Sequence, residues 1–307
     1  MLVVVALGGN ALLRRGQALD VENQRHNIAE AVEMLAELSL EHRIVVTHGN
    51  GPQVGLLALQ AESYSGTAPY PLDVLGAESE GMVGYLLEQG MQGHLPGKST
   101  GTLLTQVVVD PRDPAFEHPT KPIGPVYDQV TAERLSRERG WSVAPDGDDW
   151  RRVVPSPEPR RIIELQTIRT LVDAGVLVIC AGGGGIPVVV EEESSVHGVE
   201  AVIDKDLSAA LLARELGADA LLLLTDVPCV ERRHGTPEAQ PIAEAHVSEL
   251  DPAEFAAGSM RPKIEAARRF AVGGGIAAIG ALGDARLILA GEAGTRVLPD
   301  ADARRSS

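Results

Sequence analysis

The sequence predicts an α/β protein, a mostly parallel, right-handed sandwich of strands and helices. Two observations support this prediction. Apolar runs that suit buried strands alternate with longer stretches in which apolar residues recur at helical spacing. The 307 residues are 44% hydrophobic but only 3% aromatic, so the core is built from Val, Leu, Ile and Ala, a composition that suits a parallel sheet.

The N-terminal part of the chain begins with a strand. Residues 3–5, all Val, predict a strand buried on both faces that stops at Gly8. A long helix is predicted from about residue 21 to residue 40, where apolar residues recur at helical spacing. The segments RIVVTH (43–48) and TLLTQVVVDP (102–111) predict a second and a third strand, the third ended by its proline.

Residues 112–160, which we call the arm, differ from the rest of the chain. Prolines punctuate this segment, and its apolar alternations, such as WRRVVP, are short. Trp141 and Trp150 both lie in it, whereas a disordered segment is poor in such residues. We therefore predict that the arm is an inserted, protruding subdomain within a single domain spanning residues 1–307.

The alternation of strands and helices resumes after the arm. The segments VLVIC (176–180) and ALLLL (220–224) predict strands, and the helix predicted between them ends near Gly217. Another helix is predicted from about Met260, with a proline in its first turn, where proline is tolerated. A strand follows at GIAAIGAL.

The charge of the chain excludes several partners. With 27 basic and 43 acidic residues, the formal net charge is −16, which repels nucleic acid phosphates and anionic lipid surfaces. Any site for an anion must therefore be locally cationic. Two cysteines make no disulfide framework, no apolar run is long enough to span a bilayer, and the N-terminus lacks a basic targeting region. These features predict a soluble cytoplasmic protein.

Three glycine-rich loops each follow a predicted strand: Gly8-Gly9-Asn10, HGNGP at 48–52 and GGGG at 182–185. In open parallel sheets, ligands bind beyond the carboxyl ends of the strands, where backbone N–H groups can cradle an anion. One such loop is equally well explained as a tight turn. Three at equivalent positions predict a site for phosphate or another anion.

Two familiar phosphate-binding motifs are nearly matched, but each lacks a required glycine. GKST at 97–100 would need a glycine at position 92 to be a P-loop, and Gln92 stands there. We interpret it as a surface turn. The segment 182–187 has the first two glycines of a dinucleotide fingerprint, but Pro187 takes the place of the third, which argues against NAD binding.

Lysine is scarce, with only Lys98, Lys121, Lys205 and Lys263 in the chain. By itself, Lys205 is best explained as a solvated charge at a helix start, and Lys121 as a surface lysine on a loop. Lys263 stands just inside a predicted helix N-terminus, where a cation opposes the helix dipole. A residue placed against its local preference is more often functional.

Other catalytic groups are not indicated. The eight histidines show no metal-ligand spacing, and no nucleophile elbow is present. His48 either orients the second loop by a hydrogen bond or simply packs. Glycine cradles with a few lysines and an acid suggest phosphoryl transfer, which relies on positioning and charge neutralisation rather than on a covalent nucleophile.

Eight segments, in order along the chain, resemble the carbamate kinases of the amino acid kinase superfamily: VVALGGNALL, VTHGNGPQVG, LTQVVVDP, PTKPIGP, RRVVPSPEP, GGGGIPVV, GVEAVIDKDLSAALLA and GSMRPKIEAA. The resemblance implies a three-layer α/β/α sandwich with a mostly parallel central sheet and a small protruding subdomain, assembled as a homodimer. It implies reversible phosphoryl transfer between ATP and carbamate, giving ADP and carbamoyl phosphate with Mg²⁺. In arginine fermentation the reverse direction makes ATP.

The resemblance also implies roles for residues of this sequence. The residues that would contact the transferred phosphoryl group and carbamate are Gly8, Gly9, Asn10, Gly49, Asn50 and Gly51. Lys205 would neutralise the phosphoryl oxygens and Asp206 would position the lysines. Lys121, from the arm, would close over the carbamoyl end.

On the nucleotide side, the resemblance implies that Lys263 bridges to the nucleotide phosphates. Thr225, Asp226 and Met260 would lie near the nucleotide. No residue of the chain is assigned as a metal ligand. After LLTDV the chain departs from the family pattern with Pro228-Cys229, which bears on nucleotide affinity.

Two rival functions remain at this stage. A kinase for another small acid, such as acetylglutamate, is disfavoured because those relatives place a lysine where this chain has Asn10, and because of the arm. A non-catalytic sensor of a nucleotide or of carbamoyl phosphate would have kept the fold. The joint presence of Lys205, Asp206 and Lys263 argues against a sensor, which could lose one of them.

Overall fold

The computed structural model describes residues 1–300 apart from residues 15, 65, 67 and 192–194, and apart from the side chain of Asn10. The strands in the described residues are β1 (Leu2–Leu7), β2 (Arg43–His48), β3 (Thr100–Leu103), β4 (Gln106–Val108), β5 (Lys121–Tyr127), β6 (Ser142–Asp146), β7 (Asp149–Val154), β8 (Arg161–Ile162), β9 (Leu177–Cys180), β10 (Ile186–Val190), β11 (Val196–Gly198), β12 (Ala220–Thr225), β13 (Val230–Arg232), β14 (Gln240–Ile242), β15 (Glu244–His246), β16 (Ile276–Ala281) and β17 (Thr295–Leu298). The α-helices are α1 (Val21–Glu41), α2 (Gly51–Ser63), α3 (Leu72–His94), α4 (Gln129–Arg139), α5 (Leu165–Asp173), α6 (Lys205–Leu216), α7 (Met260–Ala271) and α8 (Ala285–Ala290).

An eight-stranded sheet organises the described residues, in the order β15-β17-β16-β12-β1-β2-β9-β3. Neighbouring strands pair in parallel except for β16 and β17, which are antiparallel. The predicted fold class, an α/β protein with a large and mostly parallel sheet, is confirmed.

Helices cover both faces of this sheet. Because side chains of a strand alternate between faces, Val3 and Val5 of β1 pack with α1, α3 and α8 in one core cluster. Val4 and Ala6 pack with α5, α6 and α7 in a second cluster on the other face. These four β1 residues are fully buried, which explains why β1 is a continuous apolar run.

Local sequence signals place the helix ends close to their predicted positions. The Asp20 side chain accepts a hydrogen bond from the backbone N–H of Asn23 and caps α1. Helix α6 ends at Gly217, whose φ of +67° is the left-handed conformation that glycine tolerates without strain. Helix α7 begins at Met260, with Pro262 in its first turn.

Within the arm, β5, β7 and β6 form a three-stranded antiparallel sheet in that order, and α4 connects β5 to β6. This sheet packs on α2 through Ile123 and Val154, which share a core cluster with Val54. Gly55 of α2 meets the arm backbone so closely that a Cβ there would lie 2.7 Å from the Gly124 Cα. The arm is therefore seated on α2 by contact of two glycines.

The prediction of the third strand as a single element is wrong. It divides into β3, which joins the large sheet, and β4, which pairs with β10 and β8 in a separate four-stranded sheet. Thr105 lies at the division: its hydroxyl donates to the Leu103 carbonyl and its N–H donates to Glu80. These bonds take the place of ladder hydrogen bonds, so the chain turns from one sheet to the other.

In the part of the chain that the structure describes, no helix combines the length and the apolar character needed to cross a membrane. Both cysteines are free thiols, with Cys180 buried and Cys229 half-buried.

Candidate active site

The three glycine-rich loops lie at the carboxyl ends of β1, β2 and β9, which are neighbours in the large sheet. Backbone hydrogen bonds fix the first two loops to the strand ends: the Gly8 N–H donates to the Leu224 carbonyl at 2.9 Å, and the Gly49 N–H donates to the Leu7 carbonyl at 3.1 Å. The parallel sheet thus brings together loops that are far apart in the sequence, at the edge where such folds bind ligands.

Close backbone packing explains some of these glycines. A Cβ at Gly8 would lie 2.8 Å from the Leu224 carbonyl oxygen, and one at Gly49 would lie 3.2 Å from the Gly9 nitrogen. At Gly9 and Gly51, by contrast, a Cβ would meet no atom within 4 Å. Backbone packing therefore does not require glycine at these two positions, which both line the cleft described next.

A cleft of about 670 Å³ opens between the loops, the arm and the start of α7. Its lining includes these residues that the sequence predicted for the site: Gly8, Gly9, Gly49, Asn50, Gly51, Lys121, Lys205, Asp206, Thr225, Asp226, Met260 and Lys263. The Asn10 side chain lies outside the described part of the structure. Residues separated by up to 255 positions thus share one concave surface.

Two lysines meet at one carboxylate in this cleft. The Lys205 Nζ donates to Asp206 Oδ1 at 2.5 Å, and the Lys263 Nζ donates to Asp206 Oδ2 at 3.0 Å. Lys205 and Asp206 are the first residues of α6, and Lys263 is the fourth residue of α7. The side chain of Lys205 is only 16% exposed, so its interpretation as a solvated charge is wrong.

Burial and mutual charge set the protonation of this cluster. Burial favours the neutral form of Asp206, but Lys205 and Lys263 outweigh it and hold the pKa of the carboxyl well below its usual range. Burial lowers the pKa of Lys205, an effect that Asp206 only partly offsets. Burial acts on Lys263 in the same direction, yet the nearby aspartates outweigh it and raise the Lys263 pKa. The carboxylate is thus ionised at neutral pH between two ammonium groups.

Asp204 connects the arm to this cluster. One of its oxygens, Oδ1, accepts from the backbone N–H groups of Asp206 and Leu207 and caps α6. The other, Oδ2, accepts from the Lys121 Nζ at 2.7 Å. Lys121 is the first residue of β5, and its side chain is 32% exposed. The same carboxylate therefore contacts the arm lysine and fixes the start of the helix that bears Lys205.

The far end of the cleft is formed by the end of β12 and the start of α7. The Thr225 hydroxyl donates to Asp226 Oδ1 at 3.1 Å, and Met260 is the first residue of α7. Cys229 and Phe255 add apolar surface here. Among the described residues, no group of three His, Cys, Asp or Glu side chains could by itself hold a metal ion.

Comparison with known proteins identifies the family. The model of the amino acid kinase family matches residues 1–279. The carbamate kinase of Rhizobium meliloti is 54% identical over 299 residues, which are 96% of this chain and 92% of that protein. The chain belongs to the carbamate kinases of the amino acid kinase family. The carbamate kinase of Pyrococcus furiosus is 47% identical over 97% of this chain and 99% of that protein.

The solved structures agree with this family. The Giardia lamblia carbamate kinase bound to AMP-PNP superposes with a TM-score of 0.89 at 40% identity, and the match covers 97% of this chain and 98% of that one. The resemblance stated from the sequence motifs is confirmed. Because it belongs to the carbamate kinases, the chain is a kinase, that is, a phosphotransferase.

Several residues around the cleft escaped the sequence analysis. Asp204, Ser79 and Glu80 were not singled out, although all three hydrogen-bond to groups of the site. For Asp204 a signal existed, since an aspartate directly before a predicted helix is a capping residue. For Ser79 and Glu80 no local signal existed, because their partners lie on loops 29 and 102 positions away.

The structure shows that His48 is buried and also hydrogen-bonds to the second loop. Its Nδ1 lies 2.9 Å from the Gly49 carbonyl oxygen, and its ring packs on Gly182, where a Cβ would lie 2.3 Å from Cε1. Burial lowers the pKa of His48 to about 4, so the imidazole is neutral at physiological pH. Its Nδ1 then donates to the Gly49 carbonyl. His48 therefore both orients the second loop and packs, the two roles that the sequence left open.

Proposed function

We propose that the chain catalyses reversible phosphoryl transfer between ATP and carbamate, giving ADP and carbamoyl phosphate. The observation that supports this best is the pair of lysines on Asp206 at the base of a glycine-lined cleft. Two buried ammonium groups beside loop backbones suit a group whose charge is spread over three phosphoryl oxygens. The carbamate kinase of Rhizobium meliloti, at 54% identity, supports the choice of substrate.

The reaction needs no proton transfer by the protein. Carbamoyl phosphate dianion and ADP trianion become carbamate anion and ATP tetraanion, so the total charge of −5 is unchanged. The bond from the phosphorus to the carbamoyl oxygen breaks, and a bond from the phosphorus to the ADP β-phosphate oxygen forms. Positioning and neutralisation are therefore the tasks left for the site, and a neutral, buried His48 suits this requirement.

In this proposal each group has one task. The backbone of Gly8, Gly9, Gly49 and Gly51 receives the carbamoyl and phosphoryl groups, with Asn10 and Asn50 beside them. Lys205 neutralises the transferring phosphoryl oxygens, and Asp206 holds the ammonium groups of Lys205 and Lys263 at fixed positions. Lys263 extends to the nucleotide phosphates. Thr225, Asp226 and Met260 adjoin the nucleotide, and Lys121 closes the carbamoyl side.

Mg²⁺ belongs to the proposal as the ion that accompanies the nucleotide. Magnesium in kinases is bound by substrate phosphates, waters and one or two carboxylates rather than by a cage of protein ligands. Asp226 on the cleft wall and the absence of a three-ligand cluster among the described residues fit that mode. The bound ion would neutralise charge on the β- and γ-phosphate oxygens.

The remaining parts of the proposal concern the setting of the enzyme. We infer a homodimer in the cytoplasm that acts in arginine metabolism. One site serves both directions, because an enzyme does not alter the equilibrium of its reaction. The supply of carbamoyl phosphate and ADP then determines which direction is used.

The proposal is tested by mixing the protein with carbamoyl phosphate, ADP and Mg²⁺ and measuring ATP against a blank without enzyme. We expect ATP well above the blank. A chain that binds these ligands tightly by calorimetry without forming ATP would instead be a sensor. Equal or greater activity with acetylglutamate as the phosphoryl acceptor from ATP would indicate the rival kinase.

A further inference from the structure

Two adjacent residues of α3 each hydrogen-bond to a different glycine-rich loop. Ser79 Oγ accepts from the Asn50 side-chain amide at 2.7 Å, and Asn50 belongs to the second loop. Glu80 Oε1 accepts from the Gly182 N–H of the third loop at 2.8 Å. Ser79 and Glu80 are 0% and 1% exposed, and neither lines the cleft. They reach the site through the loops.

The third loop has a strained backbone that is supported by residues outside it. Ala181 has a φ of +51° and Gly183 a φ of +66°, both in the left-handed region, which costs an alanine roughly 1–3 kcal/mol. Two bonds from outside the loop hold this segment: the Ala181 N–H donates to the Thr105 hydroxyl at 2.9 Å, and the Gly182 N–H donates to Glu80. Within the loop, the Gly184 N–H donates to the Ala181 carbonyl and the Gly185 N–H donates to the Gly182 carbonyl, and the two external bonds add to these turns.

The second and third loops also contact each other. A Cβ at Gly183 would lie 2.1 Å from the Asn50 amide nitrogen, so this amide packs directly on the Gly183 backbone. The contacts therefore close a ring that runs from Ser79 to Asn50, to Gly183, to Gly182 and back to Glu80. Asn50 and Gly183 are the members of this ring that line the cleft.

We propose that Ser79 and Glu80 are positioning residues, which lock the second and third loops together as one rigid surface against the phosphoryl group. The proposal rests on the proposed function, because it assigns these residues to the same phosphoryl transfer. Its mechanism is geometric, since a shift of about 1 Å in a reacting group can cost about 100-fold in rate.

Glu80 performs this task as a neutral acid. Burial raises the pKa of Glu80 to about 8, the backbone N–H groups of Gly182 and Thr105 act in the opposite direction, and the Glu164 carboxylate raises it slightly further. The other titratable neighbours, His48 and Cys180, are themselves neutral at pH 7 because burial disfavours their charged forms. A neutral Glu80 adds no negative charge behind a surface that receives an anion.

Three variants separate positioning from simple packing. Glu80→Gln keeps the size and neutrality of the side chain, and Glu80→Ala removes its bonds to the third loop. Glu88→Ala is the matched control, because the Glu88 carboxylate on the same helix accepts from the Thr102 N–H of β3 at 3.0 Å, away from the loops. For each folded variant, kcat and KM are measured over pH 6–9, and amide exchange is measured for residues 181–185.

We expect Glu80→Ala to lower kcat by roughly 10- to 100-fold with a smaller change in the KM for ADP, and to speed exchange of residues 181–185. Glu80→Gln keeps one of the two oxygens that accept from the Gly182 and Thr105 N–H groups, so it should lose less kcat at pH 7 than Glu80→Ala, and its activity should fall less above pH 8, because glutamine cannot ionise. Burial also lowers the pKa of Lys205, but this lysine is the same in both enzymes, so the comparison isolates Glu80. Glu88→Ala should match the wild type.

A folded Glu80→Ala protein with wild-type kcat and wild-type exchange would overturn the proposal, as would identical alkaline profiles for Glu80→Gln and the wild type. If Glu80→Ala does not fold, Ser79→Ala replaces it, and a kcat within twofold of the wild type would then count against positioning. If the wild type makes no ATP, the proposed function fails, and the exchange of residues 181–185 in Glu80→Ala and Glu80→Gln still decides whether these residues lock the loops.

Discussion

At the scale of single residues, the character of the site depends on Asp206, a carboxylate that is 3% exposed and shared by two lysines. Without it, Lys205 and Lys263 would be neighbouring buried cations, whose mutual repulsion would drive them apart or deprotonate one of them. With it, both ammonium groups stay charged and close together. In the proposed mechanism, charge neutralisation therefore depends on a residue that need not touch substrate.

We predict that Lys205→Met lowers turnover by at least ~100-fold, because one preorganised charge at a transferring group contributes a few kcal/mol in a dry site. The protein should stay folded by circular dichroism. Lys98→Met is the control, since the Lys98 Nζ donates to the Ser39 carbonyl away from the cleft. Equal turnover of the two folded variants would remove Lys205 from the mechanism.

We predict that Asp206→Asn costs both activity and stability. Removing one partner of a buried ionic cluster leaves uncompensated charge, which typically costs about 3–5 kcal/mol. Turnover should fall together with the urea midpoint. Asp173→Asn breaks the exposed ion pair with Arg43 and should change stability by less than about 1 kcal/mol. Similar urea midpoints for the two variants would contradict a cohesive role for Asp206.

At the scale of elements, the arm is a separate sheet that reaches the site through the start of β5, where Lys121, Pro122 and Ile123 line the cleft. Its seat on α2 combines apolar contacts, with Ile123 and Val154 buried against Val54, and ion pairs of two arm arginines with Glu62. Its polar contact with the site is the ion pair from Lys121 to Asp204. Because that ion pair is partly exposed, its net stabilisation is small. The arm can therefore exchange this contact for one with a ligand without losing its seat.

We predict that Lys121→Ala raises the KM for carbamoyl phosphate or lowers turnover, because the carbamoyl group is then left open to water. ADP affinity should change little, since the residues proposed to adjoin the nucleotide lie at the end of β12 and at the start of α7. Arg134→Ala is the control, as this arm cation pairs with Glu138 on the exposed surface of α4. A large loss of ADP affinity with unchanged carbamoyl phosphate kinetics would contradict this division of labour.

At the scale of the whole molecule, two buried groups with opposite titration behaviour face the third loop. The His48 pKa is about 4 in the folded protein against 6.5 for the free group. Between pH 4 and 6.5 the unfolded chain therefore binds more protons than the folded protein, and stability is lost as the pH falls through this range. The Glu80 pKa is about 8 against 4.5, so the folded protein binds more protons and stability is lost as pH rises.

These opposing slopes predict a stability maximum between about pH 4.5 and 6.5. Of these two groups, only Glu80 contributes a slope from pH 6.5 to 8, and it should lower the free energy of unfolding by about 2 kcal/mol. Urea unfolding across pH 5–9 measures this, and Glu80→Gln should flatten the alkaline side. A wild-type urea midpoint that does not change between pH 6.5 and 8 would show that Glu80 does not titrate as described.

Much of this architecture could be predicted from the sequence because it depends on local pattern. Apolar runs and helical periodicity indicate the strands and helices of the large sheet, and a parallel sheet necessarily collects its loops at one edge. The glycine-rich loops and the scarce lysines were therefore found as candidates. Their roles in catalysis remain proposals, to be tested by the variants above.

The parts that the sequence could not predict depend on contacts between distant residues. The division of one predicted strand at Thr105 requires the Glu80 side chain, 25 positions away. The burial of Lys205 follows from Lys263 and Asp206 meeting across two helices, 57 positions apart. Asp204 looks like an ordinary helix cap until β5 places Lys121 beside it, 83 positions away. Propensity and spacing carry no information on such partners.

The three lysines of the cleft have one more consequence for how ligands enter. Lys121, Lys205 and Lys263 each form an ion pair with an aspartate of this chain. An arriving phosphate therefore does not meet bare cations, and its binding is an exchange of counterions in which the protein's own carboxylates are displaced or share their partners. The affinity for phosphate is then set by the difference between the attraction of the lysines to phosphate and their attraction to the aspartates. Such an arrangement favours rapid turnover, because the aspartates form ion pairs with the lysines again when the product leaves.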